Sequence, residues 1–242
     1  MKIITTSNGK GGTGKTTLNA FIGETLFNHN YKVLLIDLDH NCCLSEMYGM
    51  ELKDETSKNF LSGKNVTPYN IKKTDTAVLD IIPSDLDMNM LANIMDTQLK
   101  VQIKKSGLAS KYDFIILDPP GTWNAQTRNA VFAADTVVVS GTCSQLDLKA
   151  TEKYFEQLSG CYLDADVFVV CNKFNKQLNL DGIFEAYQKS FDEFLISFPI
   201  PDVKSLKKLV ADPNYKMHPT IKNRLEKFVE IVTEVSFNQE DK

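Results

Sequence analysis

The amino-acid sequence predicts an α/β protein: a single doubly wound, mostly parallel sheet flanked by helices. Three observations carry that reading. Short apolar runs alternate with helix-length amphipathic stretches along the chain. Several runs, such as Val33–Ile36 and Phe114–Leu117, are continuously apolar, as strands covered on both faces must be. Hydrophobic residues make up 43% and charged residues 24% of the 242 positions, enough to fill a large core and unlike a disordered or collagen-like chain. No apolar run reaches the roughly 18 residues of a membrane span.

In chain order, the expected strands are Ile3–Ser7, Val33–Leu38, Ala77–Ile82, Phe114–Leu117, Thr136–Ser140, Val167–Cys171 and Leu195–Phe198. Helices are expected at Lys15–Asn28, Leu86–Lys105, Ala125–Phe132, Ser144–Leu158 and Asp181–Asp192, returning the chain by right-handed crossovers. Glu51–Thr76 carries little periodicity and reads as loops and short helices. Met217–Val235 reads as a terminal helix, because Met217, Ile221, Leu225, Phe228, Val229, Val232 and Val235 recur at helical spacing. No linker separates these elements. Residues 1–242 are expected to form one domain, with residues 203–242 as its C-terminal helical part. The five cysteines form neither a CxxC pair nor a zinc-like cluster, so free thiols in a reducing cytoplasm are expected. The N-terminus, MKIITTSNGK, shows no signal-peptide pattern.

Chemistry enters at Gly9–Thr16. GKGGTGKT matches G-x-x-x-x-G-K-[ST] between an expected strand and an expected helix. Glycines permit backbone angles that turn successive N–H groups inward as an anion nest. The helix N-terminus adds its positive dipole end. Gly11, Gly12, Thr13 and Gly14 would line a polyphosphate. Lys15 would reach the β and γ phosphates, the Thr16 hydroxyl would ligate Mg²⁺, and Thr17 would reach the α phosphate. In Tyr112–Gly121, YDFIILDPPG, an apolar strand ends in Asp118. A carboxylate there would complete the Mg²⁺ shell, usually through water, and Gly121 lets its N–H approach the γ-phosphate. Val33–Asp39, VLLIDLD, places Asp37 and Asp39 on one side of a strand's carboxyl end, where open α/β sheets bind ligands. VFVVCN ends in Asn172, whose amide offers a donor and an acceptor to an adenine edge. Asn175 stands where the guanine-reading N-K-x-D pattern has its aspartate, which favours ATP.

Lys10-Gly11-Gly12-Thr13-Gly14-Lys15-Thr16-Thr17 fits K-G-G-x-G-K-T-[ST]. On this motif the chain resembles the ParA/MinD family, the deviant Walker A type of P-loop NTPase, over Met1 to about Val210. The resemblance implies ATP and Mg²⁺ as cofactors, and catalytic roles for Lys10, Lys15 and Asp39. Lys10 would cross a two-fold interface to the partner subunit's nucleotide, where a cation relieves repulsion between facing triphosphates. Asp39 would position the attacking water, Asp37 would support Mg²⁺ through water, and Pro201 and Asp202 would join Asn172 at the base. His40-Asn41 departs from the family's Pro-Gln after the second aspartate, which bears on loop geometry and hydrolysis rate.

The family's partition members bind nucleoid DNA non-specifically as ATP dimers, while division-site members bind membrane through a terminal amphipathic helix. Charge separates the two readings. The chain carries −4 overall, yet residues 203–227 hold seven cations against two anions. Lys204, Lys207, Lys208, Lys222, Arg224 and Lys227 are the expected DNA-binding residues, giving backbone contact with little base readout. Glu226, Glu230 and Glu234 on the terminal helix argue against an anionic bilayer. The expected partners are a second copy in the presence of ATP, non-specific DNA and a stimulating ParB-like protein. The expected location is the cytoplasm, on the nucleoid when ATP is bound. The competing readings are an ATP-gated adaptor and a MinD-like membrane-associated positioning ATPase.

Overall fold

A computed structural model describes residues 1–50, 54–91, 93–175, 182–202 and 217–237. The strands are β1 Lys2–Ser7, β2 Lys32–Asp37, β3 Tyr69–Lys73, β4 Val78–Ile82, β5 Phe114–Asp118, β6 Thr136–Thr142 and β7 Asp166–Asn172. They form one seven-stranded sheet in the order β3-β4-β2-β5-β1-β6-β7. Every pairing is parallel except that of β3 with β4. The helices are α1 Lys15–Asn28, α2 Cys43–Met47, α3 Ser57–Leu61, α4 Gln98–Lys105, α5 Ala125–Ala133, α6 Gln145–Ser159, α7 Ile183–Phe191 and α8 Pro219–Thr233.

Side-chain alternation along β2 builds two cores. Val33 and Leu35 pack with Leu18, Ile22 and Leu26 of α1 and with Leu225, Phe228 and Val232 of α8. Leu34 and Ile36 face the other side, packed with Ile103 of α4, Val131 of α5, Leu158 of α6 and Tyr187 of α7. Helices therefore cover both faces, and the carboxyl ends of the parallel strands open along one rim. The doubly wound, mostly parallel sheet is as the sequence predicts.

Four local expectations are corrected. The single helix expected over Leu86–Lys105 is broken into a 3-10 turn at Met88–Met90 and the later α4. Side chains of α5 take over the backbone groups that a continuous helix would pair internally. Gln126 Nε2 donates to the Met88 carbonyl at 2.7 Å, Asn129 Nδ2 donates to the Met95 carbonyl at 3.0 Å, and Asn129 Oδ1 accepts from Leu99 N–H at 2.8 Å. The strand expected at Leu195–Phe198 survives only as a bridge from Leu195 to Val169, since the nearby Pro199 and Pro201 offer no N–H to a ladder. The Glu51–Thr76 stretch contains β3, an antiparallel edge strand whose polar sequence, YNIKK, hides it from an apolar search. Finally, Cys143 and Cys171 are paired sulfur to sulfur across a Cα separation of 6.1 Å. The register sets Gly141 beside Cys171 and Thr142 beside Asn172, which brings the next residue, Cys143, back over Cys171. Cys42, Cys43 and Cys161 are free thiols.

β3 is fastened to α1 by charge. Lys72 Nζ donates to both carboxylate oxygens of Glu24, at 2.9 and 2.8 Å, and the Glu24 side chain is only 3% exposed. Removing one partner of such a pair strands a buried charge. Lys72→Met is expected to lower unfolding free energy by about 2–4 kcal/mol, while Glu24→Gln/Lys72→Met recovers most of it. Urea titration of the three proteins checks this, and equal midpoints for the single and double variants would refute the buried-charge account.

Candidate functional site

β1 delivers Gly9–Gly14 to the rim, and α1 begins directly behind them. Gly12 and Gly14 take φ of +78° and +91°, a left-handed backbone open to glycine. Gly14 caps α1, where its carbonyl accepts from Leu18 N–H at 2.9 Å. Outside this loop, two side chains from the end of β7 hold its carbonyls. Asn172 Nδ2 donates to the Thr13 carbonyl at 2.9 Å, and Lys173 Nζ donates to the Gly12 carbonyl at 2.6 Å. Carbonyls tied outward leave the corresponding N–H groups free to converge on an anion. Thr13 is buried, Thr16 and Thr17 are half-buried, and Gly11 and Gly12 are exposed.

Lys15 is buried against this loop, its Nζ donating to the Lys10 carbonyl at 3.1 Å. Burial pulls its ammonium below the ordinary value, although Asp118 and Asp39 push it back up. Gly121 is pressed onto the same loop. A Cβ there would stand 3.0 Å from Lys15 Nζ and 3.2 Å from Gly11 N, so any larger residue would press the second loop away from the first by a few tenths of an ångström.

Parallel pairing of β2 with β5 sets Asp37 beside Asp118, and both are fully buried. Asp37 is held by Ser45, whose N–H and hydroxyl donate to Oδ2 at 2.9 and 2.7 Å, and by Asp39 N–H at 3.0 Å. Burial nevertheless raises Asp37 to about 6. Burial, and then the charge of Asp37, raise Asp118 to about 8, against the pull of Asn19, Thr16 and Lys15. Asp118 Oδ1 accepts from Asn19 Nδ2 at 2.7 Å, but its Oδ2 is buried with no hydrogen-bond partner. A buried carboxylate oxygen left unpaired beside a second carboxylate fits a divalent cation. Among the described residues no group of three or more His, Cys, Asp and Glu forms a cage. Mg²⁺ binds through one or two carboxylates plus substrate phosphates, the donor set that Asp118 and Asp37 offer here.

Asp39 lies just beyond Asp37 at the rim. Its Oδ1 accepts from Asn41 N–H at 3.0 Å and Asn41 Nδ2 at 2.9 Å, with His40 Nδ1 at 3.3 Å. The residues that replace Pro-Gln thus fold back onto the aspartate itself. Lys10 is half-exposed, and its Nζ pairs with Asp147 at the start of α6. Near the base position, Pro201 bridges to Phe174, and Asp202 N–H donates to the Phe174 carbonyl at 3.0 Å. The structure therefore gathers the P-loop, Asp37, Asp39, Asp118, Gly121, Asn172 and Pro201 along one rim. Of the cationic patch, Lys204, Lys207 and Lys208 lie outside the described residues. Lys222, Arg224 and Lys227 are exposed on α8, with Lys222 3.6 Å from Glu226 and Lys227 5.8 Å from the centre of the Phe198 ring. Among the described residues no helix is long and apolar enough to cross a membrane.

Motif reading missed four residues of this site: Asn19, Ser45, Asp147 and Lys173. Asn19 carried a signal, since it lies one turn after Lys15 as a polar side chain on a buried helix. The other three reach the site only through tertiary contacts.

Comparison with known proteins agrees with the geometry. The AAA domain family model AAA_31 matches residues 1–167. The virulence plasmid ParA family protein pGP5-D of Chlamydia psittaci is 31% identical over 186 residues, covering 74% of this chain and 71% of that protein. Cell division protein PomZ of Myxococcus xanthus is 30% identical over 201 residues, 78% of this chain. The match takes in 63% of PomZ, so the chain spans less than two thirds of that relative. A variant of Cyanothece McdA, solved as its ATP complex, superposes with a TM-score of 0.80 at 18% identity over 99% of each chain. With the signature loop, the paired aspartates and the sheet order in place, the chain belongs to the ParA/MinD family of P-loop ATPases.

Proposed function

We propose that this protein is an ATP-dependent dimerising ATPase of the partition type. It binds DNA non-specifically in its ATP state and is released when a partner protein stimulates hydrolysis, so that it serves DNA segregation. The observation that carries the proposal is Lys10, a second, half-exposed lysine on a loop whose other lysine, Lys15, is buried at the phosphate cradle. One lysine serves the subunit's own nucleotide; the other, held at the surface by Asp147, is placed to serve a second. That the relatives include a plasmid ParA family protein supports segregation, while the cell division relative fits a positioning role equally. The cytoplasm is the proposed location, with attachment to the nucleoid in the ATP state. Residues 1–242 are proposed to act as one unit.

The work of each residue follows from its chemistry. N–H groups of Gly11–Thr17 and the α1 dipole hold the polyphosphate, with Lys15 on its β and γ oxygens and Gly121 N–H at the γ oxygens. Asn172, Pro201 and Asp202 border the base. Thr16, Asp118 and, through water, Asp37 would hold Mg²⁺, which would neutralise developing phosphate charge. Asp39 orients the attacking water. Lys10 from each subunit stabilises the other's triphosphate, so chemistry is completed only in the dimer.

Asp39 already engaged by Asn41 and His40 motivates a second reading: an ATP-gated adaptor with vestigial hydrolysis. Gel filtration and DNA binding without nucleotide, with ADP and with ATP test the main proposal. Lys10→Ala is expected to abolish ATP-dependent dimerisation and to leave monomer affinity for ATP within about threefold, whereas Lys15→Ala loses that affinity by about 100-fold. A Lys10→Ala protein that dimerises like its parent removes the proposed role. Phosphate release that stays absent with DNA and every partner favours the adaptor, and ATP-dependent cosedimentation with liposomes favours a positioning ATPase on membrane.

A further inference from the structure

β7 forms one outer edge of the sheet, and that edge is covered only in part. The Val169 carbonyl accepts from Ile196 N–H at 2.9 Å, and the Cys171 carbonyl accepts from Ile200 N–H at 2.8 Å. Backbone groups alternate along a strand, so Val167, two residues earlier, turns its N–H and carbonyl to the same edge. Among the described residues no backbone group meets Val167 from that side. The Val167 side chain lines a cavity of about 180 Å³ together with Phe155, Leu158, Leu163, Ala165 and Phe194. An engineered cavity of about 150 Å³ holds benzene, so this one has room for one leucine- or phenylalanine-sized side chain. Phe194 is 39% exposed, and Tyr162, next to the lining residue Leu163, is fully exposed. Residues 155–167 and 191–199 hold Glu156, Asp164, Asp166, Asp192 and Glu193, all exposed, and no Lys, Arg or His. Acids on an edge strand deter pairing with another acidic edge. They do not account for an apolar hollow beneath that edge, and they attract a chain of opposite charge.

We propose that the amino-terminal part of the β7 edge docks an extended, cationic segment of a partner protein. The segment adds a strand beside Val167 and seats one apolar side chain in the cavity. Main-chain bonds at the open edge give affinity, and the hollow below gives side-chain choice. A strand with one apolar residue over the cavity and Lys or Arg to either side meets both the hollow and its acidic rim. The site stands apart from the nucleotide. Asn172 ends β7 at the rim, and Val167 lies five residues down the strand, about 17 Å away. The proposal therefore does not depend on the ATP dimer.

The probe is a fluorescein-labelled peptide, Lys-Val-Lys-Leu-Lys-Val-Lys, and its counterpart with Glu in place of each Lys. Fluorescence anisotropy with the full chain at low salt is expected to give a Kd on the order of 100 μM for the first and at least about tenfold weaker binding for the second. Val167→Pro removes the outward N–H and leaves the ladder to β6 intact, while Ala165→Leu fills the cavity. Each should weaken the cationic peptide by about tenfold and keep ATP affinity within about twofold of the parent. Asp164→Lys/Glu193→Lys should weaken it by about tenfold at low salt, a difference that shrinks as added salt screens the charges. Hydrogen exchange of the Val167 amide should slow by about tenfold when the peptide is bound. No binding of the cationic peptide, equal binding of the two peptides, or parent-like binding by Val167→Pro overturns the proposal. So does self-association of the parent, seen by sedimentation velocity and lost in Val167→Pro, since the occupant would then be a second copy. Should Val167→Pro not fold, Ala165→Leu and the Val167 exchange rate decide. Parent-like binding by the first, or unchanged exchange at the second, refutes docking at this edge.

Discussion

Asp118→Asn is expected to make the nucleotide-free protein more stable while disabling it. Asp118 and Asp37 are buried side by side, and burial raises both, with the charge of Asp37 adding at Asp118 and that of Asp39 adding at Asp37. The sign follows from linkage. Between the ordinary carboxylate range and about pH 8, the value to which Asp118 is raised, the folded state binds more protons than the unfolded state. Stability therefore falls as pH rises through that window. An asparagine cannot ionise, keeps its oxygen available to Asn19 and relieves Asp37 of a neighbouring charge. The variant should gain on the order of 2 kcal/mol at pH 8, or about 3–8 °C in Tm for a chain of this size, and nearly nothing near pH 4. Mg²⁺ affinity and ATP turnover should fall by about 10- to 100-fold, the usual effect of removing a carboxylate that holds a metal's waters. Differential scanning calorimetry across pH, with and without Mg²⁺ and ATP, tests both halves. If Asp118→Asn melts no higher than its parent at pH 8, the pair is not a stored electrostatic cost and the cation assignment loses its physical basis.

Gly14→Ala is expected to abolish nucleotide binding without unfolding the protein. Two effects coincide at this position. The backbone stands at φ +91°, and a Cβ would run into Asn172 Nδ2, the group that holds the Thr13 carbonyl outward. A positive-φ alanine costs about 1–2 kcal/mol by itself. Displacing Asn172 then lets the loop turn away from the phosphates. Hydrogen bonds to charged groups are worth about 1.5–3 kcal/mol each, so losing two of them costs about 100-fold or more in affinity. Gly63→Ala is the matching control, because Gly63 has φ +87° with nothing within 4 Å of its missing Cβ. It should show the same backbone penalty and normal ATP affinity. Calorimetric titration of ATP into the two variants decides. If both bind alike, the contact with Asn172 does not organise the loop.

Most of the chemistry is local in sequence and was legible there. The P-loop is a short-range device: glycines, a lysine and a helix start are neighbours along the chain, so their spacing alone specifies the geometry. Asp37 and Asp118 were legible for a related reason. Each ends an apolar strand, and parallel strands present their carboxyl ends along one rim whatever their order in the sheet. The outer elements were less legible. β3 is a polar edge strand that takes its place from pairing with β4 and from the Lys72–Glu24 contact. The stretch before α4 reads as a long amphipathic helix until Gln126 and Asn129 of α5 claim its backbone. Both outcomes depend on groups tens of residues away, which local propensity does not register.

The sequence by itself determined the sheet class, the phosphate cradle and the two carboxylates, because each arises from residues adjacent in the chain or from a repeating pattern of burial. Only the tertiary structure decided how these parts are held. Asn172 and Lys173 grip the loop from outside, Ser45 and Asn19 share out the oxygens of Asp37 and Asp118, and Asp147 takes Lys10. Those contacts join the ends of different strands and helices. They exist only after hydrophobic packing on both faces of the sheet has brought its rim together.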